Sequence, residues 1–466
     1  MSDGFDADRD ERGNDGTDAS HVVTAFLRNR GEILLLCRSD AVGTYAGRWG
    51  GVSGFAEGRP DEQVLAEIRE ETGLEAADVS LVRSGRPVEF EDTELEREWV
   101  VHPYLFDCET RDVTLSEEHD AFAWVAPTTI LEGVGDDRET VPKLWTAYER
   151  VAPAVRSIAA DDEHGAASLS VRALEVLRDR AGLLVAERAK FGPDPEGERD
   201  ELAALAGRLL EARPSMAVLR NRVNRAMTEA DRDGNAETGA PAVLESSLSG
   251  IDRALSADED AARNAAERLS GSVATLSRSG TVLEAIREGA PSRVFVAESR
   301  PAREGVAVAE ELAETIDGAV TVHTDAAVAH VLAREEIDRV VVGADTILPD
   351  GSVVNKTGTR AVAIAADREG IPVSVVAATD KVSTREEVNL ESGDRTAVYD
   401  GDAAIDTLNP TFDVSPADCV TDVVTERGVL EPDGIEAVAA ELRGLEAWRD
   451  GGAAGRETTD RNPSRE

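Results

Sequence analysis

Three glutamates in the stretch 49–75 have the types and the spacing to do chemistry. Glu67, Glu70 and Glu71 stand at i, i+3 and i+4, so on a helix they share one face. Carboxylates crowded in this way repel one another unless a cation neutralises them, and hard oxygen ligands suit Mg²⁺ or Mn²⁺ that bridges to phosphates. The spacing predicts a phosphate-handling metal site, and a solvated acidic helix face is the alternative.

The residues around these glutamates predict the helix that carries them. Pro60 suits a first helical turn and Gly73 suits the position after the last one, so the helix is expected over 60–72. Val64, Leu65 and Ile68 form its expected inward stripe. The glycine-rich turn 50–54 would bring backbone groups close to the same metal and to a diphosphate.

A second set of polar residues follows apolar strands in the C-terminal part of the chain. Because ligands bind beyond the carboxyl ends of the strands of an open parallel sheet, these residues are expected to converge. Two Arg, a Lys, hydroxyl groups and one Asp suit a phosphorylated polyol, although any single member is more often a strand cap or a surface ion pair. The segments are 275–279, 298–301, 343–345 and 355–359.

The pattern of expected strands and helices changes along the chain and predicts two domains. Residues 20–150 contain short, mainly antiparallel strands and one strong helix, typical of an α+β fold. Residues 164–270 have helical periodicity, which indicates a helical subdomain. Residues 271–450 alternate β-branched strands with helices, typical of a Rossmann-like parallel sheet covered on both faces. Residues 151–163 between the domains are the expected linker.

Acidic residues dominate the whole chain. The 93 acidic and 50 basic residues give a net charge of −43, and only four of the basic residues are Lys. This balance is typical of a haloarchaeal, halophilic protein, because salt screens the self-repulsion. It argues against simple electrostatic attachment to DNA or to an anionic membrane.

The cysteines and the chain ends predict a cytoplasmic protein. Cys37, Cys108 and Cys419 are too scattered for a disulfide framework. No apolar run approaches the roughly 20 residues of a membrane span. The polar ends 1–19 and 451–466 are expected to be disordered.

The stretch 49–75 resembles a Nudix box. That pattern is a Gly, five residues, Glu, seven residues, and then Arg-Glu-apolar-any-Glu-Glu-any-Gly-apolar. The segment AEIREETGL at 66–74 matches the second half, except that Ala66 replaces the Arg. Gly51 and Glu57 have the right mutual spacing, but one extra residue lies between Glu57 and Ala66. The resemblance covers roughly residues 20–150.

The Nudix resemblance implies metal-dependent cleavage of a nucleoside diphosphate linked to another group, by an activated water that attacks phosphorus. It implies Mg²⁺ or Mn²⁺ bound mainly by Glu67 and Glu71, with Glu70 as a further ligand or orienting group and Glu57 as a displaced fourth carboxylate. A hydrolase and a metal-dependent nucleotide or sugar-phosphate binding module are both open.

Two further roles follow from the same resemblance. The general base would be Glu67 itself or a loop acid near His119, either Glu117 or Glu118. The Arg missing at Ala66 normally fixes the geometry of the carboxylates, and Arg69 is a candidate to replace it.

The strand-end residues of the C-terminal part resemble the initiation factor 2B alpha/beta/delta family, which includes methylthioribose-1-phosphate and ribose-1,5-bisphosphate isomerases. The match covers roughly residues 160–445, and its motifs occur in the family's order. They are ARPSMAVLRN at 212–221, TLSRS at 275–279, ESRP at 298–301, GAD at 343–345 and NKTGT at 355–359.

This second resemblance implies a site for a phosphorylated sugar and a homodimer or higher homo-oligomer. Asp345 fills the position of the catalytic Asp of the isomerases, which convert an aldose phosphate to a ketose phosphate with an Asp and a Cys. Ser277 stands at the Cys position, and because a hydroxyl is a far weaker acid than a thiol, this difference argues against isomerase activity. The residues expected to bind phosphate and sugar are Arg213, Ser277, Arg278, Ser279, Arg300, Asn355 and Lys356.

Three functions are therefore open. The leading hypothesis is a Nudix hydrolase fused to a domain that binds a phosphorylated sugar or nucleotide and forms the oligomer. The alternatives are a non-catalytic regulatory protein with a translation-related partner, and a sugar-phosphate aldose–ketose isomerase. The Nudix substrate is not selected by any residue of the sequence.

Overall fold

The computed structural model describes residues 19–56, 58–132, 139–162, 164–232 and 237–449. The expectations for Glu57 and for the polar chain ends fall outside these residues, apart from Ala19. The chain forms two compact units that divide between Ala152 and Pro153. In the described parts of the chain, no helix combines the length and the apolar composition needed to cross a membrane.

The first unit is built on one mixed sheet. Its elements are β1 (Ser20–Asn29), β2 (Glu32–Arg38), β3 (Trp49–Gly50), β4 (Val52–Phe55), α1 (Pro60–Thr72), β5 (Val79–Ser84), β6 (Val88–Asp92), β7 (Arg97–Cys108), β8 (His119–Val125), α2 (Thr129–Glu132) and α3 (Leu144–Glu149). The eight strands run in the order β3-β2-β1-β7-β5, while β4, β6 and β8 pair with β1, β7 and β2. The pairing is antiparallel, as predicted, except that β1 and β7 run parallel.

Strand β1 separates two apolar cores, because its side chains alternate between the faces of the sheet. Val23, Ala25 and Leu27 pack on the side of α1. Phe26 packs on the other side, with Trp49 and the residues of α3. This alternation places α1 on one face of the sheet, directly beside β4.

Helix α1 has the predicted bounds but a different buried face. Gly73 adopts a left-handed φ of 71° and donates its N–H to the carbonyl of Arg69, which ends the helix. The inward residues are Val64, Ile68, Glu71 and Thr72. The expectation for Leu65 is wrong: it is 41% exposed, because it lies about 100° around the helix from Val64. A carboxylate, Glu71, occupies the buried stripe instead.

The second unit joins a helical part to a doubly wound sheet. Its elements are α4 (Val155–Ala160), α5 (Ala166–Phe191), α6 (Pro195–Ala212), α7 (Ala217–Ala230), α8 (Ala240–Ala266), β9 (Ser272–Leu276), α9 (Gly280–Gly289), β10 (Arg293–Ala297), α10 (Glu304–Thr315), β11 (Ala319–His323), α11 (Val328–Arg334), β12 (Arg339–Val342), β13 (Thr346–Ile347), β14 (Val353–Lys356), α12 (Thr359–Glu369), β15 (Val373–Val376), β16 (Phe412–Ser415), β17 (Asp422–Thr425), β18 (Gly428–Leu430) and α13 (Pro432–Gly444).

The segment expected to be a linker, 151–163, contains a helix in the structure. In α4, Ile158 is buried in the apolar core of the helical part. The hydroxyl of Ser157 accepts the N–H of Ala154 at 2.9 Å and so stabilises the first turn. The acidic residues that follow α4 conceal this short apolar pattern in the sequence.

The main sheet of the second unit creates a point where ligands can bind. Its order is β11-β10-β9-β12-β15-β17-β18, and every neighbouring pair is parallel except β17 with β18. The strand order reverses between β9 and β12. In sheets of this kind, a crevice opens beyond the carboxyl ends of the strands at such a reversal.

Candidate functional sites

Glu71 is the most deeply buried acid of the first site. Its side chain is 3% exposed, and its Oε2 accepts the backbone N–H of Ser53 at 3.1 Å. Burial, together with repulsion from Glu67 and Glu118, raises the pKa of Glu71 to about 8. The bond from Ser53 and the charge of Arg38 act in the opposite direction. Without a cation, this carboxyl group therefore keeps its proton near neutral pH.

Glu67 lies one helical turn before Glu71 and contacts Gly54, the residue of β4 that follows Ser53. A β-carbon at Gly54 would stand 2.0 Å from the carboxyl carbon of Glu67, so only glycine leaves room for this approach. Gln63 donates its side-chain N–H to Oε1 of Glu67 at 2.7 Å. Burial raises the pKa of Glu67, and the charges of Glu70 and Glu118 act in the same direction.

The remaining members of the predicted metal set are less closely assembled. Glu70 is exposed at the surface of α1, and Glu57 lies outside the described residues. Among the residues that the structure describes, no three His, Cys, Asp or Glu side chains are gathered closely enough to hold a metal ion. The structure therefore brings together Glu67 and Glu71, with Glu118 as the nearby loop acid.

Arg38 is a cation whose charge acts on Glu71, and the sequence analysis did not predict it. Arg38 ends β2, and its charge lowers the pKa values of both Glu71 and His119. Arg69, the expected substitute for the missing Arg, is exposed. The pairing of β2 with β8 places Arg38 opposite His119, and no local pattern in the sequence signals this pairing.

His119 stands beside Glu71 as a neutral group. Its Nε2 is 3.9 Å from Oε2 of Glu71. Burial and, to a smaller extent, the charge of Arg38 lower the pKa of His119 to about 4. The imidazole is therefore uncharged at neutral pH and adds no positive charge beside Glu71.

In the second unit, the strand ends meet at the reversal of strand order. Ser277, which follows β9, has a left-handed φ of 60° and donates its N–H to Oγ of Ser299 at 2.7 Å. The N–H groups of Ser299 and Arg300, after β10, donate to the carboxylate of Asp325 at 2.8 and 2.7 Å. These bonds connect the ends of β9, β10 and β11.

The segment after β9 also contacts the segment after β12. Ser279 is the N-cap residue of α9, and its hydroxyl accepts the N–H of Val282 at 3.4 Å. A β-carbon at Gly343 would stand 2.7 Å from Oγ of Ser279. The hydroxyl-rich end of β9 therefore lies against the segment that leads to Asp345.

Asp345 lies in the electrostatic field of two of the four lysines of the chain. Its side chain remains partly accessible, although protein atoms enclose it on most sides. Burial raises its pKa, the charges of Lys381 and Lys356 oppose the rise, and Glu391 adds to it. Lys381 donates its ammonium group to the carbonyl of Ala344, and Nζ of Lys356 is 2.5 Å from Oε1 of Glu304.

Other predicted residues make local contacts. The guanidinium of Arg213 donates to the carbonyls of Ile158, at 2.9 Å, and Asp161, so it braces the start of the helical part. The buried Asn355 donates to Oγ1 of Thr359 at 3.0 Å and holds the turn before α12. Arg278 and Arg300 are exposed. The structure thus unites Ser277, Ser279, Asp345 and Lys356 at the strand ends.

Three residues of this site were missed by the sequence reasoning. Asp325 follows β11 and Lys381 follows β15, so the strand-end rule that selected Asp345 could have found them. Glu391 lies in an irregular segment and accepts a hydrogen bond from Ser215 of the ARPS motif at 2.8 Å. No strand or helix pattern signals that contact.

The folds and their sites define a two-domain protein, with a mixed α+β unit that carries an acidic helix and a doubly wound unit that carries polar strand ends. The chain belongs to the initiation factor 2 subunit family, whose model matches residues 162–432. Residues 19–144 match the NUDIX domain. The two families and the fold class predicted from the sequence are confirmed.

Relatives and a solved structure are consistent with this assignment. The chain is 33% identical to a ribose 1,5-bisphosphate isomerase of Haloterrigena turkmenica over 329 residues, which are 63% of this chain and 95% of that protein. It is 38% identical to a methylthioribose-1-phosphate isomerase of Pseudomonas aeruginosa over 180 residues, 34% of this chain and 49% of that protein. The crystal structure of 5-methylthioribose 1-phosphate isomerase from Pyrococcus horikoshii has the same fold, with a TM-score of 0.51 at 20% identity over 71% of this chain and 90% of that one.

Proposed function

We propose that the first unit is a metal-dependent hydrolase of nucleoside diphosphate-linked substrates and that the second unit binds a phosphorylated sugar or nucleotide. The observation that carries the hydrolase proposal is the pair formed by Glu67 and Glu71. Both carboxyl groups are packed against β4, and burial raises both pKa values. A purely structural helix face does not require a buried acid, Glu71, next to a half-buried one, Glu67.

The donor chemistry of this pair fits a divalent cation. Carboxylate oxygens are the ligands that Mg²⁺ and Mn²⁺ prefer. The carboxyl group of Glu67 occupies the space in which a side chain at position 54 would lie. Glu67 and Glu71 would hold the metal, with Glu70 or the displaced Glu57 as further ligands. When bound, the metal would neutralise the diphosphate and lower the pKa of a water molecule.

The residues around the pair would orient it. The N–H of Ser53 fixes one oxygen of Glu71, and Gln63 fixes one oxygen of Glu67. Glu67 itself, or Glu118, whose charge acts on both members of the pair, would accept the proton of the attacking water. In the Nudix pattern, an Arg at the position of Ala66 limits the repulsion between the carboxylates. Arg38 would have that role in this chain.

The test is turnover of a panel of nucleoside diphosphate-linked compounds in high KCl with Mg²⁺ or Mn²⁺. We expect release of a nucleotide product by the wild-type protein and loss of that release in Glu71→Gln. Glu75→Gln, at an exposed position just after α1, is the matched control and should retain activity. Absence of turnover across the panel would refute the hydrolase and favour the non-catalytic regulatory alternative.

A second candidate for the C-terminal unit is aldose–ketose isomerisation. It is favoured by Asp345, whose pKa burial raises and which lies at the reversal of strand order. Ser277 in the place of a thiol argues against it. Ketose phosphate formed from ribose 1,5-bisphosphate, and lost in Asp345→Asn, would establish the isomerase. Binding of this compound without turnover would assign the unit to ligand binding.

We also propose a homodimer or larger homo-oligomer formed through the second unit. Exposed apolar side chains in the segment before β16, Val398, Ile405 and Leu408, support a protein contact there. Light scattering in high KCl would show an oligomer that Leu408→Asp dissociates. A monomeric wild-type protein would refute this part of the proposal.

A further inference from the structure

Arg220 is a buried cation on α7 that has no acid in contact with it. It is 7% exposed, and its Nη2 donates to the backbone carbonyl of Pro214. Within the residues that the structure describes, no carboxylate lies at ion-pairing distance from this guanidinium. A buried charge without a counter-ion is costly, because a protein interior solvates ions far less well than water does. The position of Arg220 therefore favours a bound anion.

An amide group on the same face of α7 also lacks a partner. Asn224 stands four residues after Arg220, so the two side chains are neighbours on the helix. Its Oδ1 accepts the indole N–H of Trp448 at 3.1 Å and Nη2 of Arg449 at 2.8 Å. These two donors fix which atom is the oxygen. The other atom, Nδ2, is a buried donor with no acceptor among the described residues, which is a second sign of a missing acceptor.

Two further cations come to this place from distant parts of the chain. Arg449 follows α13, and its Nη1 lies 3.9 Å from Oε2 of Glu446. The other oxygen of Glu446 accepts the hydroxyl of Thr384 at 2.8 Å. Arg385 directly follows Thr384 in the segment after β15. Residues near α13 and residues after β15 thus meet beside α7.

Arg220, Arg385 and Arg449, which we call the arginine cluster, carry more positive charge than the neighbouring acid balances. Burial, together with repulsion from Arg385 and Arg449, lowers the pKa of Arg220 to about 10, and the charge of Glu446 acts in the opposite direction. Arg220 is still protonated at neutral pH, so the three cations and one acid leave a surplus of two positive charges. This surplus occurs in a chain whose net charge is −43. A dianion would balance it.

The exposure of the arginine cluster suits a ligand that enters from solvent. Arg385 is exposed and Arg449 is partly exposed, whereas Arg220 is buried. Guanidinium groups bind phosphate oxygens through paired N–H bonds, and a phosphate ester is close to a dianion at neutral pH. A phosphate group therefore matches the cluster in its charge, its acceptor atoms and its route of access.

We propose that the arginine cluster binds a dianionic phosphate group, either free or on a small molecule, at a site separate from the strand ends of the second unit. The charges that act on Asp345 at the strand ends are those of Lys381, Lys356 and Glu391. The bound phosphate would connect α7 to the residues after α13 and to the segment after β15. It would therefore stabilise the second unit.

The test measures the binding of inorganic phosphate to the full-length protein by calorimetry, in high potassium glutamate so that chloride does not compete. We expect Arg220→Met to raise the dissociation constant at least about tenfold, because the charge-assisted bonds of the guanidinium are lost. Arg220→Lys keeps the charge without the planar fork and should give an intermediate value. Arg253→Met should keep the wild-type value, since Arg253 is paired with Glu229 at 3.0 Å on the surface of the same unit.

The same comparison in a Lys356→Met background separates this site from the strand ends. Phosphate binding that persists in Lys356→Met and is lost when Arg220→Met is added would support the arginine cluster, even if the strand ends bind no sugar phosphate. Binding that is already lost in Lys356→Met would assign the phosphate to the strand ends and overturn the inference. Equal affinity in the wild-type and Arg220→Met proteins would also overturn it.

Ribose 5-phosphate, measured in parallel in the Lys356→Met background, distinguishes the two sources of phosphate. Tighter binding than that of inorganic phosphate would assign the site to a phosphorylated sugar, and weaker binding would assign it to free phosphate. Thermal unfolding is an independent measurement. Phosphate should raise the melting temperature of Arg253→Met but not that of Arg220→Met. An equal rise in both would show that Arg220 has only a structural role.

Discussion

Glu67 holds its carboxyl group against the backbone of Gly54, so closely that a β-carbon at position 54 would stand 2.0 Å from the carboxyl carbon. This contact places one of the two central acids of the first site on the strand that also binds the other, through the N–H of Ser53. A helix and a strand thus fix the two carboxylates relative to each other. Glycine at position 54 is the condition for that arrangement.

Gly54→Ala should therefore displace Glu67 while the unit remains folded. The obstructed atoms are the far end of a flexible side chain, so Glu67 can rotate away. A displacement of about 1 Å in a catalytic group can cost roughly a hundredfold in rate, and we expect a loss of this order in kcat/KM for the diphosphate panel. Gly43→Ala is the matched control, since no atom lies within 4 Å of a β-carbon there. Full activity in Gly54→Ala would contradict the assigned role of Glu67.

The raised pKa of Glu71 predicts a specific dependence of stability on pH in the presence of EDTA. The folded protein keeps the Glu71 proton up to a pKa of about 8, whereas the unfolded chain releases it near the ordinary value of 4.5. Its contribution to stability is therefore complete below about pH 4.5 and is lost as the pH rises to about 8. Glu71→Gln keeps a neutral side chain at every pH, so its advantage in melting temperature should grow across this window.

Thermal unfolding followed by tryptophan fluorescence would measure this difference, because four of the five tryptophans lie in residues 49–145. Mg²⁺ should reduce the advantage of Glu71→Gln, since the ion stabilises the ionised carboxylate. Parallel melting curves for the two proteins from pH 5 to pH 8 would show that Glu71 titrates normally.

A buried ion cluster in the second unit predicts a large loss of stability. The carboxylate of Asp380, after β15, is 3.3 Å from Nε of Arg222 and 3.0 Å from Nη2 of Arg225, both on α7. Burial alone raises the pKa of Asp380, but the charges of the two arginines outweigh it and leave the pKa below its usual range. Asp380→Ala removes the buried partner of both cations and leaves only the longer pairs of Arg222 with Asp258, at 3.4 Å, and of Arg225 with Glu441, at 3.7 Å. It should lower the free energy of unfolding by about 3–5 kcal/mol.

Denaturant unfolding of the second unit would measure that change. Glu335→Ala is the control, because it removes an exposed pair with Arg293 at 2.7 Å, and such pairs contribute about 1 kcal/mol or less. A loss for Asp380→Ala no larger than that of the control would show that the cluster does not join α7 to the sheet.

Lys356 should be needed for the binding of a sugar phosphate. Its charge acts on Asp345, and it forms an ion pair with Glu304 at 2.5 Å. Lys356→Met should abolish the rise in melting temperature that ribose 1,5-bisphosphate causes, because a cation for the phosphate is removed. The double variant Lys356→Met with Glu304→Gln avoids leaving an unpaired carboxylate and should behave in the same way. Lys190→Met, at an exposed position, should retain the full shift.

Local patterns in the sequence predicted the elements that carry both sites. Pro60 and Gly73 defined the bounds of α1, because their backbone preferences are intrinsic to the residue types. The β-branched runs predicted the parallel sheet, and the strand-end rule brought Ser277 and Asp345 to the same edge. The inward face of α1 was predicted less well. Leu65 is exposed and Glu71 is buried, because the carboxyl group of Glu71 packs against β4, where it accepts the N–H of Ser53.

The sequence by itself determined the two families, the order of the elements and the identity of the acidic pair, since these depend on short-range spacing. The tertiary structure decided which distant residues join them. Arg38 reaches Glu71 from β2, and Lys381 and Glu391 reach Asp345 from later segments. Such contacts arise from strand pairing and chain reversal over tens of residues, and no local periodicity encodes them.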